Sequence, residues 1–287
     1  MRPVLGNLPL DRISVQHIYD LLKVIRNGKT GVTKPAPSVA NDVLRFLKTI
    51  FDLALVLEKI PFNPAGNLKN KHAGGSEKPR ERSLDLEEIA KLFTAMNNTP
   101  NLGRENELAI KLLLVLCVRK NELLQAKWSE FNLDAKVWKL PGRRSKTAAT
   151  LTIPLPDLAV EWLRELRVRA YQSDYVFPAR LIQKKKLPHV AADTLNVALK
   201  RVNHKLEHFV IHDLRRTART NLGRLGVPPH VAELCLNHKL SRIQGTYDTH
   251  DYFVARRDAL NTWAKDIETI DRGNVISITK ALKQRKA

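Results

Sequence analysis

The spacing of apolar side chains divides the chain into a short helical part and a longer, mostly helical part. Before residue 70, apolar residues recur every three or four positions in two stretches, a spacing that predicts two helices. Ser14 is placed to cap the first helix, and Asn27-Gly28 is a sequence that ends helices. The second helix starts near Ser38 and stops before Pro61. The first part is therefore expected to be a small helical domain.

A polar segment separates the two parts. Residues 71–82 are basic, contain glycine and lack an apolar period, as expected of a linker. After it, Asp85 with Glu88 forms a capping-box sequence at the start of a helix. Residues 136–140 and 150–154 have strand-like patterns around a Pro-Gly turn, which predicts a β-hairpin. Further helices are predicted at 105–117, 122–126, 157–170, 191–206, 213–224, 229–236, 241–249 and 252–267.

These elements predict a mainly α protein of the α+β type. A small helical domain occupies residues 1–70 and a linker occupies residues 71–82. A mixed helical domain with a small antiparallel sheet follows over residues 83–272. Residues 273–287 form a tail with a short apolar run and a basic end. We expect the run to dock on a neighbouring copy, because its own domain offers it no obvious place.

The charge of the chain narrows its class of partner. Lys and Arg number 49 against 29 Asp and Glu, which gives a formal net charge of +20. The excess is present in both parts, since residues 1–70 alone hold ten basic and five acidic side chains. A charge of this size and sign indicates a polyanionic partner such as DNA. Two basic parts could hold a duplex from both sides. The alternative is a soluble protein whose helices have charged, solvated faces and no such partner.

The cysteines and the longest apolar run indicate a cytoplasmic protein. Cys117 and Cys235 both lie in apolar helical stretches and are interpreted as buried side chains, which implies a reducing compartment. The first residues have no signal-peptide pattern. The run from Leu108 to Val118 contains Lys111 and is too short to cross a membrane.

Residues that could carry chemistry occur in four places, all in the second part. No glycine-rich phosphate loop is present, so the sequence does not predict nucleotide hydrolysis. The four places are Arg119 with Glu122 three residues later, Lys146 in the hairpin loop, His212 with Arg215 at a helix start, and His238 nine residues before Tyr247.

In this order the four places resemble the active-site signature of the tyrosine recombinase, or phage integrase, family. LCVRKNELLQAKWSEFNL is similar to the first arginine box, and HDLRRTART to the second. RRSKTAATLTIPL resembles the lysine hairpin of integrases from satellite phages and genomic islands, and GTYDTHDYFVARRDALNTWAKDI the nucleophile box of that subgroup. The likeness reaches the N-terminal part through PVLGNLPLDRIS. The chain departs from the family pattern at Cys117, where threonine is usual, and at Asn237, where glycine is usual.

The resemblance implies a role for each candidate residue. Tyr247 is the nucleophile that attacks a DNA phosphodiester, and its hydroxyl, with an ordinary pKa of about 10, needs a proton acceptor. His212 is the candidate base, and Lys146 the candidate acid for the leaving 5′-oxygen. Arg119, supported by Glu122, and Arg215 present planar donors to the phosphate oxygens. His238 donates a hydrogen bond to the same phosphate.

The family also implies partners and an architecture. The expected function is site-specific recombination through a 3′-phosphotyrosyl intermediate, with integration or excision of a mobile element. The expected partners are a double-stranded attachment site, further copies of the chain in a tetramer on DNA, and accessory DNA-bending proteins. Neither a metal nor another cofactor is expected. The two domains would form a C-shaped clamp in the bacterial nucleoid or a phage-infected host, and members of the subgroup usually carry a further N-terminal arm-binding domain.

Several alternatives stay open on the sequence alone. A type IB topoisomerase would use the same chemistry, and a DNA-binding regulator would keep the basic surface without catalysis. His204, His208 and His212 would face one side of a continuous helix and could bind a metal, although Phe209-Val210-Ile211 is a poor helix interior. Tyr252 is a rival to Tyr247 as nucleophile. Each candidate also has an ordinary structural explanation when it is considered alone. Arg119 and Glu122 could be an ion pair on a helix surface, Lys146 could be a solvated turn residue, and Tyr247 could pack in a core.

Overall fold

The structure, a computed structural model, describes residues 2–28, 33–77, 79–145, 149–179, 187–238 and 252–273. The chain divides into two compact units, and the division falls between Arg80 and Glu81. Each unit has its own apolar core. The predicted boundaries of the domains, linker and tail remain predictions, as does the C-shaped clamp.

The N-terminal unit is built on two packed helices. It contains α1 (Arg2–Leu5), α2 (Val15–Asn27) and α3 (Pro37–Val56), of which α2 and α3 pack along each other. As predicted, Ser14 caps α2: its Oγ accepts a hydrogen bond from the His17 backbone N–H at 3.3 Å. The contact between the helices buries Leu22 of α2 and Phe51 of α3 almost completely. Burial of these apolar side chains is what stabilises so small a unit.

The chain after α3 packs back onto this unit through Asn41. The Asn41 side chain is 1% exposed. Its Oδ1 accepts from the Gly74 backbone N–H at 2.8 Å, and its Nδ2 donates to the Gly75 carbonyl at 3.0 Å and to Glu77 at 2.9 Å. Position 74 requires glycine, because a Cβ there would collide with the Pro37 carbonyl. The first residues of the segment with linker-like composition therefore lie on the N-terminal unit.

The C-terminal unit is an assembly of helices around a largely buried helix. Its helices are α4 (Leu86–Asn97), α5 (Arg104–Leu116), α6 (Lys120–Leu124), α7 (Asp157–Arg169), α8 (Thr194–Arg201), α9 (Asp213–Arg224), α10 (Pro229–Cys235) and α11 (Phe253–Asp271). Every residue of α5 from Glu107 to Leu116 is buried, and α5 contacts α6, α7, α8, α9 and α11. This explains why its sequence is apolar on all sides. The capping box predicted at Asp85 is present at the start of α4.

Lys111 is a charged side chain that lies inside this core. Lys111 of α5 is 2% exposed, and its Nζ lies 2.5 Å from both Glu107 and Asp271. A buried ammonium is tolerated only when it is paired in this way. Asp271 is the last residue of α11, so the contact fixes the end of that helix against α5.

A small antiparallel sheet lies in the same unit. Its strands are β1 (Phe131–Asn132), β2 (Val137–Leu140) and β3 (Leu151–Pro154), in the order β1-β2-β3. Trp138 pairs with Phe131 on one side and Ile153 on the other. The predicted hairpin is confirmed, and β1 is an addition that its two-residue length hides in the sequence. The fold is mainly α with a small antiparallel sheet, as the sequence predicts.

Candidate active site

Arg119 is held by a carboxylate at the start of α6. The buried Glu122 accepts from the Arg119 backbone N–H at 2.9 Å and from its guanidinium Nη1 at 2.9 Å. The sequence predicts this pairing, but Arg119 precedes the helix in extended conformation instead of sharing a helical face with Glu122. The turn out of α5 is made by Cys117, which adopts the left-handed conformation. Both bonds to Glu122 fix the direction in which the guanidinium points.

The base of the β2–β3 loop is tied to the Arg119 segment through Arg144. Arg144 donates to the Glu122 carbonyl at 2.8 Å and to the Glu130 carboxylate. Glu130 also accepts from Trp138 Nε1 at 3.0 Å, and its side chain is 7% exposed. Arg144 therefore stabilises the fold through these contacts, whereas the Arg143 side chain is exposed. Lys146, the predicted acid, lies outside the described residues.

His212 stands directly before α9, at the point where a buried aspartate starts the helix. Asp213 is fully buried, accepts from the Val210 backbone N–H at 2.9 Å and lies 3.2 Å from Arg216. Burial lowers the pKa of His212, and the positive charges of Arg215, Arg216 and Arg119 lower it further. The imidazole is thus biased toward its neutral form, the form that can accept a proton.

Arg215 joins the segments that carry the other candidate residues. It is 4% exposed and donates to the Cys117 carbonyl, two residues before Arg119, and to the Leu236 carbonyl, two residues before His238. Burial lowers its pKa to about 10, helped by the charge of Arg119, so the group stays cationic at neutral pH. A guanidinium has more N–H groups than two carbonyls use, and donors remain for a substrate oxygen.

His238 is positioned by the turn that ends α10. Its backbone N–H donates to the Glu233 carbonyl at 3.1 Å, and that of Asn237 donates to the Leu234 carbonyl at 3.0 Å. This is the Schellman pattern, in which the residue after the helix is left-handed, and Asn237 has φ 52°. The departure from the family's glycine is thereby explained, since asparagine tolerates this conformation. His238 Nδ1 lies 2.6 Å from the Glu233 carboxylate.

A prediction follows for the stability of this turn. Asn237 is buried, and among the described residues its Nδ2 has no hydrogen-bond partner. Asn237→Gly supplies the residue that the left-handed conformation favours most and removes the unpaired amide, so we expect the free energy of unfolding to rise by about 1 kcal/mol. Asn237→Val, a β-branched residue in a left-handed position, should lower it by at least about 1 kcal/mol. Urea denaturation checks both, and a glycine variant less stable than the parent would contradict the account.

An open cleft of about 900 Å³ lies beside part of the candidate site. Arg119 and His212 both border it, together with cationic or polar side chains from α6, α8 and the segment before α9. These are Lys120, Asn121, Asn196, Lys200, His204 and His208. A cleft with such an edge suits an anionic strand. The bonds of Arg215 to residues 117 and 236 bring Arg215 and the His238 segment into the same neighbourhood. Tyr247 lies outside the described residues, as does the predicted helix at 241–249.

The described residues do not support a three-histidine metal site or a cysteine nucleophile. The three-histidine metal alternative needs one helix through His204 to His212, but α8 ends at Arg201 and α9 begins at Asp213. No group of three potential ligands occurs in the part of the chain that the structure describes. Burial raises the pKa of the Cys117 thiol, and that of Cys235 to about 12, so neither is a ready nucleophile.

Tyr252, the alternative nucleophile, lies at the start of α11. It caps α11 in left-handed conformation, and its ring meets that of His230 edge-on at 5.1 Å between centroids. Sequence reasoning missed Glu233, Glu130 and the anchoring role of Arg144. Of these, Glu233 had a usable signal, because a helix-ending turn brings a residue five positions before His238 back beside it.

A family model decides the classification of the chain. The model of the phage integrase family matches residues 82–253, more than half of the sequence. The chain belongs to the phage integrase family. The match spans the two arginine boxes, the hairpin lysine and Tyr247 in the predicted order. The satellite-phage and genomic-island subgroup remains a prediction.

Curated relatives match most of this chain but exceed it in length. Prophage integrase IntZ of Escherichia coli (strain K12) is 28% identical over 274 residues, which are 95% of this chain and 64% of that protein. Prophage integrase IntA of the same strain is 29% identical over 204 residues, 70% of this chain and 48% of that protein. The integrase of Enterobacteria phage P4 is 23% identical and covers 96% of this chain. This integrase-family chain thus spans less than two thirds of each relative's length.

Solved structures share its fold. Lambda integrase residues 75–356, in a dimer bound to a COC′ core site, match with a TM-score of 0.62 at 20% identity over 86% of this chain and 83% of that one. The Tn1549 transposon integrase in complex with circular intermediate DNA matches with a TM-score of 0.60 at 16% identity, over 88% and 87%. Within the described ranges, none of the helices of this integrase-family chain has the length and apolar content to span a bilayer.

Proposed function

We propose that the chain is a site-specific DNA recombinase that cuts and rejoins strands through a 3′-phosphotyrosyl intermediate. The observation that carries the proposal is the bond network around Arg215, which joins the segments of Arg119 and His238 next to the cleft bordered by His212. Family membership supports the same chemistry. Integration or excision of a mobile element is the expected biological outcome, on DNA in the bacterial nucleoid.

The proposed step uses groups of this chain alone. Tyr247 Oη attacks the phosphorus, the bond to the 5′-oxygen breaks, and the nucleophile's proton passes to His212. Lys146 supplies the proton that the leaving 5′-oxygen takes up. Arg119 and Arg215 bind the non-bridging oxygens, where negative charge increases in the transition state, and His238 donates to the same phosphate. The phosphotyrosyl bond conserves the energy needed to join a new strand.

The role of His212 predicts the acidic limit of cleavage. A base must be unprotonated, and burial with three neighbouring arginines lowers the pKa of His212 below its usual 6.5. Cleavage should therefore persist at pH 6.5 and fall only at lower pH, as the ring gains a proton. The measurement is the rate of covalent adduct formation against pH, on a nicked duplex whose sequence the chain has selected from a randomised DNA pool. A rate already halved at pH 7 would contradict this role.

The role of Lys146 predicts rescue by a better leaving group. Lys146→Ala should slow cleavage of an ordinary duplex by roughly 10²–10⁴-fold, because the 5′-alkoxide then leaves without its proton. Replacing that oxygen by sulfur should restore the rate, since a thiolate leaves unprotonated far more readily. Arg143→Ala is the matched control, because Arg143 is an exposed cation in the same loop. Failure of the sulfur substrate to rescue Lys146→Ala would remove Lys146 from the acid role.

The proposed partners follow from the charge and from the fold. The net charge of +20 favours duplex DNA, with basic residues in both units. Lambda integrase, whose fold this chain shares, is described as a dimer bound to a core site and as a tetramer bound to a Holliday junction. We propose the same assembly here, with the two units forming a clamp, the tail at 273–287 docking on a neighbouring copy, and accessory proteins bending the DNA.

Strand exchange is the experiment that tests the function. Two duplexes carrying the selected site should recombine with the full chain, without ATP and in the presence of EDTA, because the proposed step needs neither a nucleotide nor a metal. The type IB topoisomerase alternative predicts relaxation of supercoiled DNA by single molecules and no exchange. A regulator without catalysis predicts binding alone. Inhibition by EDTA that zinc reverses would instead support the three-histidine metal alternative.

A further inference from the structure

We propose that Glu233 is a positioning residue that holds His238 with its Nδ1 protonated and only Nε2 directed to the substrate. The inference rests on the proposed function, in which His238 donates to the scissile phosphate, and it adds Glu233 and its partner Arg219 to the machinery. Glu233 lies on α10, five residues before His238, and the Schellman turn connects the two.

Each oxygen of the Glu233 carboxylate has its own hydrogen-bond partner. Its Oε2 lies 2.6 Å from His238 Nδ1, and its Oε1 accepts from Arg219 Nε at 2.7 Å. Arg219 belongs to α9, the helix that carries Arg215. The carboxylate is therefore oriented from α9 and in turn orients the imidazole at the end of α10. The backbone bond from His238 to the Glu233 carbonyl, at 3.1 Å, sets the ring beside the carboxylate.

The charge of Glu233 decides which atom carries the proton. Burial raises the pKa of Glu233, but hydrogen bonds from Arg219 and His238 outweigh burial and leave that pKa below its usual value. An ionised carboxylate can only accept, so Nδ1 of His238 is the donor of the 2.6 Å bond. The same arrangement, a carboxylate on one ring nitrogen with the other left for the functional partner, is common for metal-bound histidines.

A consequence follows for Nε2. With Nδ1 protonated, a neutral ring has a lone pair at Nε2 and cannot donate to an anionic oxygen. Donation to the phosphate therefore requires the imidazolium form of His238. Glu233 places a carboxylate beside that ring, and Arg219 holds the carboxylate in turn.

The first test measures cleavage by the full chain on the nicked duplex described above. Glu233→Ala should slow adduct formation by about 10–100-fold, the usual loss when an orienting carboxylate is removed from a functional histidine. Glu233→Gln keeps an acceptor without the charge, so its rate relative to the parent should fall as the pH rises. A purely structural role for Glu233 would lower the rate by one factor at every pH, and that result would overturn the proposal.

A double-mutant comparison shows whether Glu233 acts through His238. In a His238→Gln background, Glu233→Gln should cause no further loss of cleavage, because the residue that it positions is already absent. Asp266→Asn is the control. It removes a carboxylate that lies 2.7 Å from Arg224 of α9, the same distance as that between Glu233 and Arg219. Additive losses from Glu233→Gln and His238→Gln would contradict the proposal.

A spectroscopic readout separates this proposal from the proposed function, because it needs no DNA. Imidazole ¹⁵N spectra of the full chain, assigned with His238→Gln, should show Nδ1 of His238 protonated in the parent and the proton redistributed toward Nε2 in Glu233→Ala. A neutral ring protonated at Nε2 in the parent would overturn the proposal even if the chain recombines DNA. Protonation at Nδ1 in a chain that never forms adducts would support the pairing and reject the proposed function.

Discussion

Tyr247→Phe is expected to abolish covalent protein–DNA adducts while DNA affinity stays within about twofold of the parent. The substitution removes the oxygen that would attack the phosphorus and leaves the ring and all 49 basic side chains in place. Binding depends mainly on those charges, whereas bond formation depends on the hydroxyl. The checks are denaturing gels for adducts and a binding titration at fixed salt.

Tyr252→Phe is the matched control for this experiment. Tyr252 lies five residues from Tyr247, and its ring contacts His230 in a way that phenylalanine preserves. We expect normal adduct formation by this control. Loss of adducts in Tyr252→Phe together with their retention in Tyr247→Phe would reverse the assignment of the nucleophile.

Arg215→Lys is expected to slow cleavage by roughly 10²–10³-fold, the usual loss when a preorganised donor to a transition-state oxygen is removed. Lysine keeps the positive charge but cannot hold the Cys117 and Leu236 carbonyls and a phosphate with one planar group. The rate of adduct formation at saturating DNA is the measurement. Near-parental cleavage would show that Arg215 only joins segments of the fold.

Two further variants distinguish chemistry from folding in this experiment. Because Arg215 is 4% exposed, Arg215→Lys also weakens the fold, and its thermal midpoint should fall. Arg119→Lys should lose cleavage to a similar extent with a smaller thermal shift, since the Arg119 side chain is 23% exposed. Arg224→Lys, on the same helix as Arg215 and paired with Asp266, should retain full activity. Loss of activity that tracked only the thermal midpoint would contradict the phosphate role of both arginines.

Local signals in the sequence were sufficient for much of the fold. Ser14 and Asp85 start helices through side-chain bonds to residues three positions on, and such bonds depend only on neighbours in the chain. The hairpin followed from alternating residues around a turn. The order of the arginine boxes, Lys146, His238 and Tyr247 identified the family for the same reason, because it is a property of the sequence itself.

The predicted helix at 191–206 shows where local reasoning stopped working. The helix covers only Thr194–Arg201, and the chain after it turns locally. His204 Nδ1 accepts from the Leu206 backbone N–H at 3.0 Å, and Lys205 adopts a positive φ of 53°. A side chain that binds nearby backbone competes with helix formation. The burial of Phe209 and Ile211 in the main core then favours a non-helical path to His212.

The support around the candidate site could not be read from the sequence, because it depends on contacts between distant residues. Arg215 binds the Cys117 carbonyl across 98 positions, and Arg144 binds the Glu122 carbonyl across 22. Every residue has a backbone carbonyl, so the sequence does not show which carbonyls an arginine binds. Only the folded chain shows which arginines stabilise the fold. Lys146 stays the proposed acid of its loop because of the family resemblance.

The most direct test of the central claim is to identify the bond that joins protein and DNA. The full chain is trapped on the nicked duplex and digested with protease, and the nucleotide-bearing peptide is sequenced by mass spectrometry. The account predicts one modified residue, Tyr247, attached to a 3′-phosphate, with a 5′-hydroxyl on the released strand. Attachment at another residue, attachment through a 5′-phosphate, or cleavage without any adduct would contradict it.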